Sequence, residues 1–531
     1  MRRGGFAALT AMIFALSANA VAGTLSIRIL DETGAPTPAR VYLTDDQGKA
    51  VFAPGTIQYH KEDKGIQEQY CIPLAGALHY LPGPGLYSLQ IEKGKEYLPL
   101  KVSLKMPASG DVDKVFHLKR WCRMASQGWF SGDMQVHAPM RIMATLLKAE
   151  DLNVALPITV LHLGEGAEKR DLNLQFFLDK ADSRGVVAVT KSRLFTVLNE
   201  ELESPASSVL ASRVGRNIIA LQYPLPAFAR TARERGALVD CEKATSLELP
   251  VVVASGGCNF LELANNGFWR AGWANIPWGT WPDLLPRRYP GTAEGFAQAT
   301  FDIYYALLNS GFPLKISAGS ANGVDPVPVG WSRVYVHVKG DFSAEKWFAA
   351  LEEGRSFVTT GPMLLLTANG LEPGQQSKGE HFPLEVNVDL KMLSPTPVDQ
   401  AEVVLNGSVH PVAMKPGKSE FTYQGNLRLS LQTSSWLAAR WIRKEGENAD
   451  VAHTSPIYFW NGESPIPISR PGAEYLAGRI SAMTQEVMTG KSESGQGPVP
   501  IAVDNPALRE QTLKYLDQAK QIFQKKIQEA P

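Results

Sequence analysis

Cysteine is scarce: the chain has four in 531 residues, Cys71, Cys122, Cys241 and Cys258, and no two of them form a CxxC pair. A thiolate zinc knuckle is therefore excluded on spacing. In an oxidising compartment four cysteines allow two disulfides in three connectivities, and burial as free thiols is equally open. An excess of either charge is lacking too. Lys plus Arg and Asp plus Glu are 53 each, for a formal net charge of zero. Nothing draws such a chain to nucleic acid or to an anionic membrane, and no basic cluster with interleaved aromatics occurs. Beyond the N-terminus there is no apolar run of about 18 residues, so no span of a bilayer is expected in the mature chain. Histidine is sparse, at nine residues with no HxH or HExxH spacing. Internal repeats, a nucleophile elbow and a phosphate-binding glycine loop are also missing.

What is present reads as globular protein. Apolar residues make up 44% and charged residues 20%, an ordinary balance. The length exceeds what one core supports, and about three domains is the expectation. Arg2 and Arg3 precede an apolar run from Phe6 to Leu16, and small residues follow at Ala18, Ala20 and Ala22. That layout predicts a signal peptide over 1–22 and a mature protein in a periplasm or outside the cell.

Three textures follow. Residues 23–120 hold short alternating runs (TLSIRIL, RVYLTD, GLYSLQIEKG) broken by Gly, Pro and Asp, which predicts an N-terminal β-sandwich. Over 121–360, apolar runs such as VALPITVLHL, GVVAVT, NIIALQY, GALVDC and LPVVVAS alternate with amphipathic stretches such as MRIMATLLKAEDL and PLPAFARTARERG. Buried strands interleaved with helices predict a parallel α/β sheet or barrel, whose chemistry sits at the carboxyl ends of the strands. Residues 361–464 return to β texture and predict a second sandwich. The stretch 465–531 reads as a linker, rich in Ser and Gly at KSESGQGPVP. It ends in a helix capped by Asn505, with Leu516, Ala519, Phe523 and Ile527 on one face.

The segment GWFSGDMQVH at 128–137 resembles the opening of the PHP (polymerase and histidinol phosphatase) superfamily, in its carbaryl-hydrolase-like (CehA/McbA) branch. The resemblance continues through LELPVVVASG at 247–256, IYYALLNSGFPLKISAGSANG at 303–323, VGWSRVYVHV at 329–338 and the run from Trp347 to Pro362. It implies a PHP-like (β/α) barrel, here flanked by two β-sandwiches, acting as a metal-dependent hydrolase on an ester, carbamate or phosphoester bond. Two histidines one residue apart at a strand end point to the same side and share a divalent ion, which polarises the substrate and supplies hydroxide.

This chain departs from that pattern. The first histidine of the pair is Gln135, and His137 alone remains. Where the family has His-Pro after an apolar strand, VDCEK at 239–243 puts Glu242. The family's A-G-S-D-x-H is AGSANG, with Ala321 and Gly323 in place of Asp and His. A conventional multinuclear site is not expected. The resemblance implies one divalent ion, zinc or manganese, or none, held by His137, Gln135, Glu242 and Glu262, with Glu165 or Asp133 as base. His162, beside Glu165, reads either as a ligand or as a structural hydrogen bonder. The long segment from 266 to 294, which opens NGFWRAGWANIPWGTWPDLLPRRYPG, reads as a binding loop or as a seal over the barrel. In the first case Trp269 and Trp273 stack on a sugar or aryl group and Arg287 and Arg288 hold an anion. Two functions stay open: a hydrolase with a reduced or retuned metal site, and a non-catalytic descendant binding a small carbohydrate-like or aryl ligand.

Overall fold

The computed structural model describes residues 23–63, 65–163, 167–204, 207–213, 223–275, 289–379, 381–443, 449–491 and 505–531. The leader, the tip of the loop holding Glu165, most of NIIALQY, and Trp278, Trp281, Arg287 and Arg288 lie outside them. The architecture is mixed α/β, with most strands in several sheets and eight α-helices among the described residues.

Alternation shapes the N-terminal part. LSIRIL buries every second residue, and Leu25–Leu30 runs between Ala77–Tyr80 and Val112–His117 in a three-stranded sheet. A five-stranded antiparallel sheet faces it, ordered Ile57–Asp63, Ile66–Ile72, Arg40–Asp45, Gly85–Glu92, Leu100–Met106. Leu25, Ile27 and Ile29 from one sheet and Val41, Leu43, Leu89 and Ile91 from the other share one core. Arg120 ties this part to the next, meeting Glu32 at 2.8 Å, Glu96 at 3.0 Å and Asp151 at 2.7 Å.

The middle strands fall into two sheets. One is seven-stranded, in the order Ala167–Arg170, Val160–Leu163, Asn199–Ser204, Ser207–Ser212, Leu238–Cys241, Phe260–Ala264, Lys315–Ala318. The other is twelve-stranded and contains Trp129–Val136 between Val154–Pro157 and Arg333–His337. Among the described residues no single ladder closes into the expected barrel. Among them two short links join the sheets instead. VALPITVLHL is one continuous run in sequence, but the chain changes sheets inside it. Ile158 N donates to Val136 O (2.7 Å) and Thr159 N to Asn199 O (3.0 Å), just after Pro157 has ended the first strand. The second link is a bridge from Val136 to Asn322.

Three further departures have local causes. LPVVVAS is the helix Leu249–Ala254 rather than a strand, because Pro250 sits in its first turn and its apolar residues are buried all round. The twelve-stranded sheet runs past residue 360, through Ser356–Thr359 to Val451–Thr454 and Ser435–Ile442. It packs there on a four-stranded sheet built on Leu384–Leu393 and Thr422–Leu431. The linker expected from 465 contains the twenty-residue helix Arg470–Thr489, whose Leu476, Ile480, Met483 and Val487 form a buried stripe at helical spacing. It packs against Pro506–Glu529, which buries Leu516, Ala519 and Phe523.

Cys241 and Cys258 form a disulfide spanning 17 positions, while Cys71 and Cys122 are buried free thiols. In the chain-entropy account a loop of this length stabilises by about 3 kcal/mol. Cys258→Ser is expected to lower the unfolding free energy by that amount in urea melts, and a reductant is expected to do the same to the wild type alone.

Candidate functional site

The Trp129–Val136 strand is buried along its whole length. Period-two alternation puts Asp133 and Gln135 on one side, with His137 just beyond the strand end. Gln135 and His137 line one cavity of about 380 Å³. Asp133 lies behind it, accepting hydrogen bonds from Ser320 Oγ (2.6 Å), Gly330 N (2.7 Å), Ser320 N (3.0 Å) and Gln135 N (3.1 Å). Burial pushes its carboxyl up to about 6 against the pull of those four bonds. With its oxygens so engaged, Asp133 clamps the 319–330 loop to the strand; it is not a base facing the cavity.

Glu201 is the centre of the site. Its carboxylate meets His137 Nε2 at 3.2 Å, accepts from Gln135 Nε2 at 3.2 Å and accepts from Ser208 Oγ at 2.8 Å. Burial disfavours the imidazolium, but the Glu201 carboxylate beside it, with Glu242 and Glu203 nearby, outweighs burial and raises the His137 pKa. Burial opposes the Glu201 carboxylate likewise, and His137, Ser208 and Lys243 overcome it, so its pKa is lowered. The strand NEELES signalled this pattern, with Glu201 and Glu203 facing the cavity and Glu200 on the opposite face. Glu200 Oε2 meets His162 Nε2 at 3.0 Å, which makes His162 a structural partner away from the cavity.

Glu242 and Lys243 follow the disulfide-bearing Leu238–Cys241 strand, line the cavity and form an ion pair. Beneath them Glu262 and Asp240 are buried, and neither carboxyl meets a hydrogen-bond partner among the described residues. Burial pushes Asp240 up to about 7, with the Glu242 charge adding to it; the Ser317 hydroxyl is close enough to oppose the shift without meeting hydrogen-bond geometry. Glu262 is raised well above the usual carboxylate range by burial and by Asp240 and Glu242, and Lys243 pulls the other way. Gly319 is required beside it, because a Cβ there would overlap the Glu262 carboxylate and the Gln135 side chain.

The wall comes from elsewhere. Trp269 lines the cavity with its buried indole N–H unpartnered among the described residues. Arg270 lies 4.8 Å over its ring and pairs with Glu68 at 2.9 Å. The N-terminal hairpin contributes Asp63 and Ile66, and its Tyr59 hydroxyl donates to Asp325 O at 2.8 Å. Trp273 does not line the cavity; it packs on the main apolar core. Glu165, Arg287 and Arg288 lie outside the described residues. A larger cavity of about 1300 Å³ beside Tyr458 and Trp460 contains none of the candidate residues.

The third departure from the family pattern involves backbone as well as side chain. Ala321 lines the cavity with φ +49° and Gly323 has φ +99°. A Cβ at Gly323 would stand 2.8 Å from the His137 carbonyl, closer than real Cβ atoms come. Placing histidine there therefore needs the loop to move. Gly323→Ala is expected to cost about 2 kcal/mol or more in a thermal or urea melt, from strain at positive φ plus the clash.

No protein-family profile and no curated protein matches the sequence. Among solved structures the chain is similar to a two-domain protein from Bacteroides vulgatus containing a predicted PHP-like metal-dependent phosphoesterase. The identity is 9%, the match covers 62% of this chain and 94% of that one, and the TM-score is 0.32. That likeness does not reach the carbaryl-hydrolase-like branch.

The side chains give a direct test of whether a divalent ion fits. His137 is paired with Glu201, Glu242 with Lys243 and Asp133 with four donors, while Gln135 Oε1 and both oxygens of Glu262 and Asp240 meet no partner among the described residues. Among the described residues no three His, Cys, Asp or Glu are grouped to hold an ion. To hold zinc or manganese, His137 and Glu242 would have to give up these partners, whereas Glu262 and Gln135 Oε1 would not.

Proposed function

We propose that this protein is a descendant of PHP-type hydrolases in which the two middle sheets form a distorted barrel. Its cavity binds a small, hydroxyl-rich, carbohydrate-like molecule without a divalent ion. The observation that carries this reading is the internal pairing of the cavity floor, His137 with Glu201 and Glu242 with Lys243. Asp63, Glu201, Glu203, Glu242 and Asp325 line the walls and repel a phosphoester dianion. The same oxygens, with Gln135 Oε1 unpartnered among the described residues, accept hydrogen bonds from hydroxyl groups, and the Trp269 indole offers a donor. A volume of about 380 Å³ lies within the range of small-ligand sites. The test is calorimetric titration of the mature chain with neutral saccharides, aryl glycosides and phosphomonoesters. Saturable saccharide binding that weakens about tenfold or more in Glu203→Gln is expected, from loss of a charged acceptor. Binding of phosphomonoesters alone would overturn the reading.

The unpartnered carboxyls of Asp240 and Glu262 favour a second reading. In it they help His137 hold one zinc or manganese ion in a hydrolase for ester, carbamate or phosphoester bonds. Elemental analysis separates the two, since one ion per chain together with turnover of such an ester establishes the second. Export belongs to either reading. A disulfide at Cys241–Cys258 is at home in an oxidising compartment, and mass spectrometry of the secreted protein is expected to find the mature N-terminus near residue 23.

A further inference from the structure

Lys243 is the only lysine or arginine among the described residues lining the cavity. It follows the disulfide-bearing strand in a left-handed conformation, φ +54°, which non-glycine residues adopt at a cost and keep where surrounding structure imposes it. Its ammonium pairs with Glu242. The same cation favours the charged forms of Glu201 and Glu203 from the Asn199–Ser204 strand and of Glu262 from the Phe260–Ala264 strand, while Asp325 from the loop after Lys315–Ala318 acts on it in turn. Acids from three strands and a loop thus act on one positive group. The other cationic side chain at the cavity, His137, is already held by Glu201. Glu262 and Asp240, fully buried, meet no hydrogen-bond partner among the described residues.

We propose that the Lys243 ammonium is a tethered cation standing where a divalent ion would neutralise these converging carboxylates, and that it closes the site to such ions. The inference rests on the metal-free reading above and extends it by naming the group that keeps metal out. A single charge on a flexible stem pairs with Glu242 and offsets the field of the neighbouring acids without presenting an open coordination position, so the cavity is left to a neutral, hydroxyl-rich ligand. Removing the ammonium leaves the acids in place and the floor short of positive charge. A divalent ion then has both the donors and the electrostatic incentive to enter.

The experiment compares the wild-type mature chain with Lys243→Gly, which suits the positive φ, and Lys243→Arg, which keeps the charge. Each is titrated with Mn²⁺ alone by calorimetry, and metal retained after dialysis is counted by mass spectrometry. Lys243→Gly is expected to bind Mn²⁺ roughly tenfold or more tighter than the other two, with about one ion retained. Its thermal midpoint should rise with Mn²⁺ while theirs stays put. A folded Lys243→Gly with wild-type Mn²⁺ affinity overturns the inference and leaves the metal-free reading standing. A wild type that holds one ion overturns the metal-free reading and, with it, the claim that Lys243 closes the site. Should Lys243→Gly fail to fold with or without Mn²⁺, Lys243→Asn, which also tolerates the left-handed backbone, removes the charge and leaves Glu242 in place. The same tenfold gain is then expected, and its absence counts against the inference.

Discussion

Replacing Glu201 by alanine is expected to cost about 3–5 kcal/mol of folding stability, the range for removing one partner of a buried ion pair. The change strands His137, Gln135 Nε2 and Ser208 Oγ together. The pH dependence has a definite sign. His137 has a raised pKa in the folded state, so its contribution is fully present below its unfolded value and is lost as pH rises through the folded one. Glu201 is lowered, so its contribution is present above the unfolded carboxylate value and lost as pH falls through the folded one. The gap between wild type and Glu201→Ala is therefore expected to be widest between about pH 5 and 6.5 and to narrow above that. Urea melts across pH measure it, and proton titration of His137 by NMR supplies a second readout. In Glu201→Ala burial is opposed only by the more distant acids, and the imidazole pKa is expected to fall. An unchanged His137 titration would mean that Glu201 is not its partner.

Asp133→Ala is the second large loss. Four buried donors lose their acceptor at once, and each orphaned group costs about 1–3 kcal/mol, so about 4 kcal/mol or more is expected in total at pH 4. The folded carboxyl sits at about 6 against a model value of 3.8. Because that value is raised, its contribution is complete below the unfolded value and is lost as pH rises through the folded one, a change of about 3 kcal/mol. The penalty of Asp133→Ala should shrink by that amount between pH 4 and pH 8. A penalty independent of pH would show that Asp133 is ionised alike in both states. Asp240 and Glu262 shift the same way, so the wild type is expected to lose stability from mildly acid pH toward pH 8.

Contacts close in sequence were legible without the fold. Gln135 and His137 share a side because alternation along a strand is a property of the backbone, and both reach the cavity. Alternating patterns at both ends of the chain marked β structure, and LSIRIL buries every second residue as its pattern requires. The helix Arg470–Thr489 was read as linker, because Pro471, Gly472 and the flanking polar residues give the stretch a linker's composition that hides the stripe of Leu476, Ile480, Met483 and Val487.

Partnership across long separations was not legible. Glu201 stands 66 positions from Gln135, and its place opposite His137 follows from two sheets meeting, which no local pattern encodes. LPVVVAS has strand composition and became a helix because Pro250 starts it and apolar neighbours surround it on every side. The family resemblance implied a base at Asp133; only the fold brings Ser320 and Gly330 onto its oxygens. The sequence by itself determined which side chains are available at each strand end and that Gln135, Ala321 and Gly323 lack imidazole. Tertiary structure alone decided that Lys243 shares a cavity with Glu201 and Glu203, because the charges that meet in a buried site depend on which strands converge.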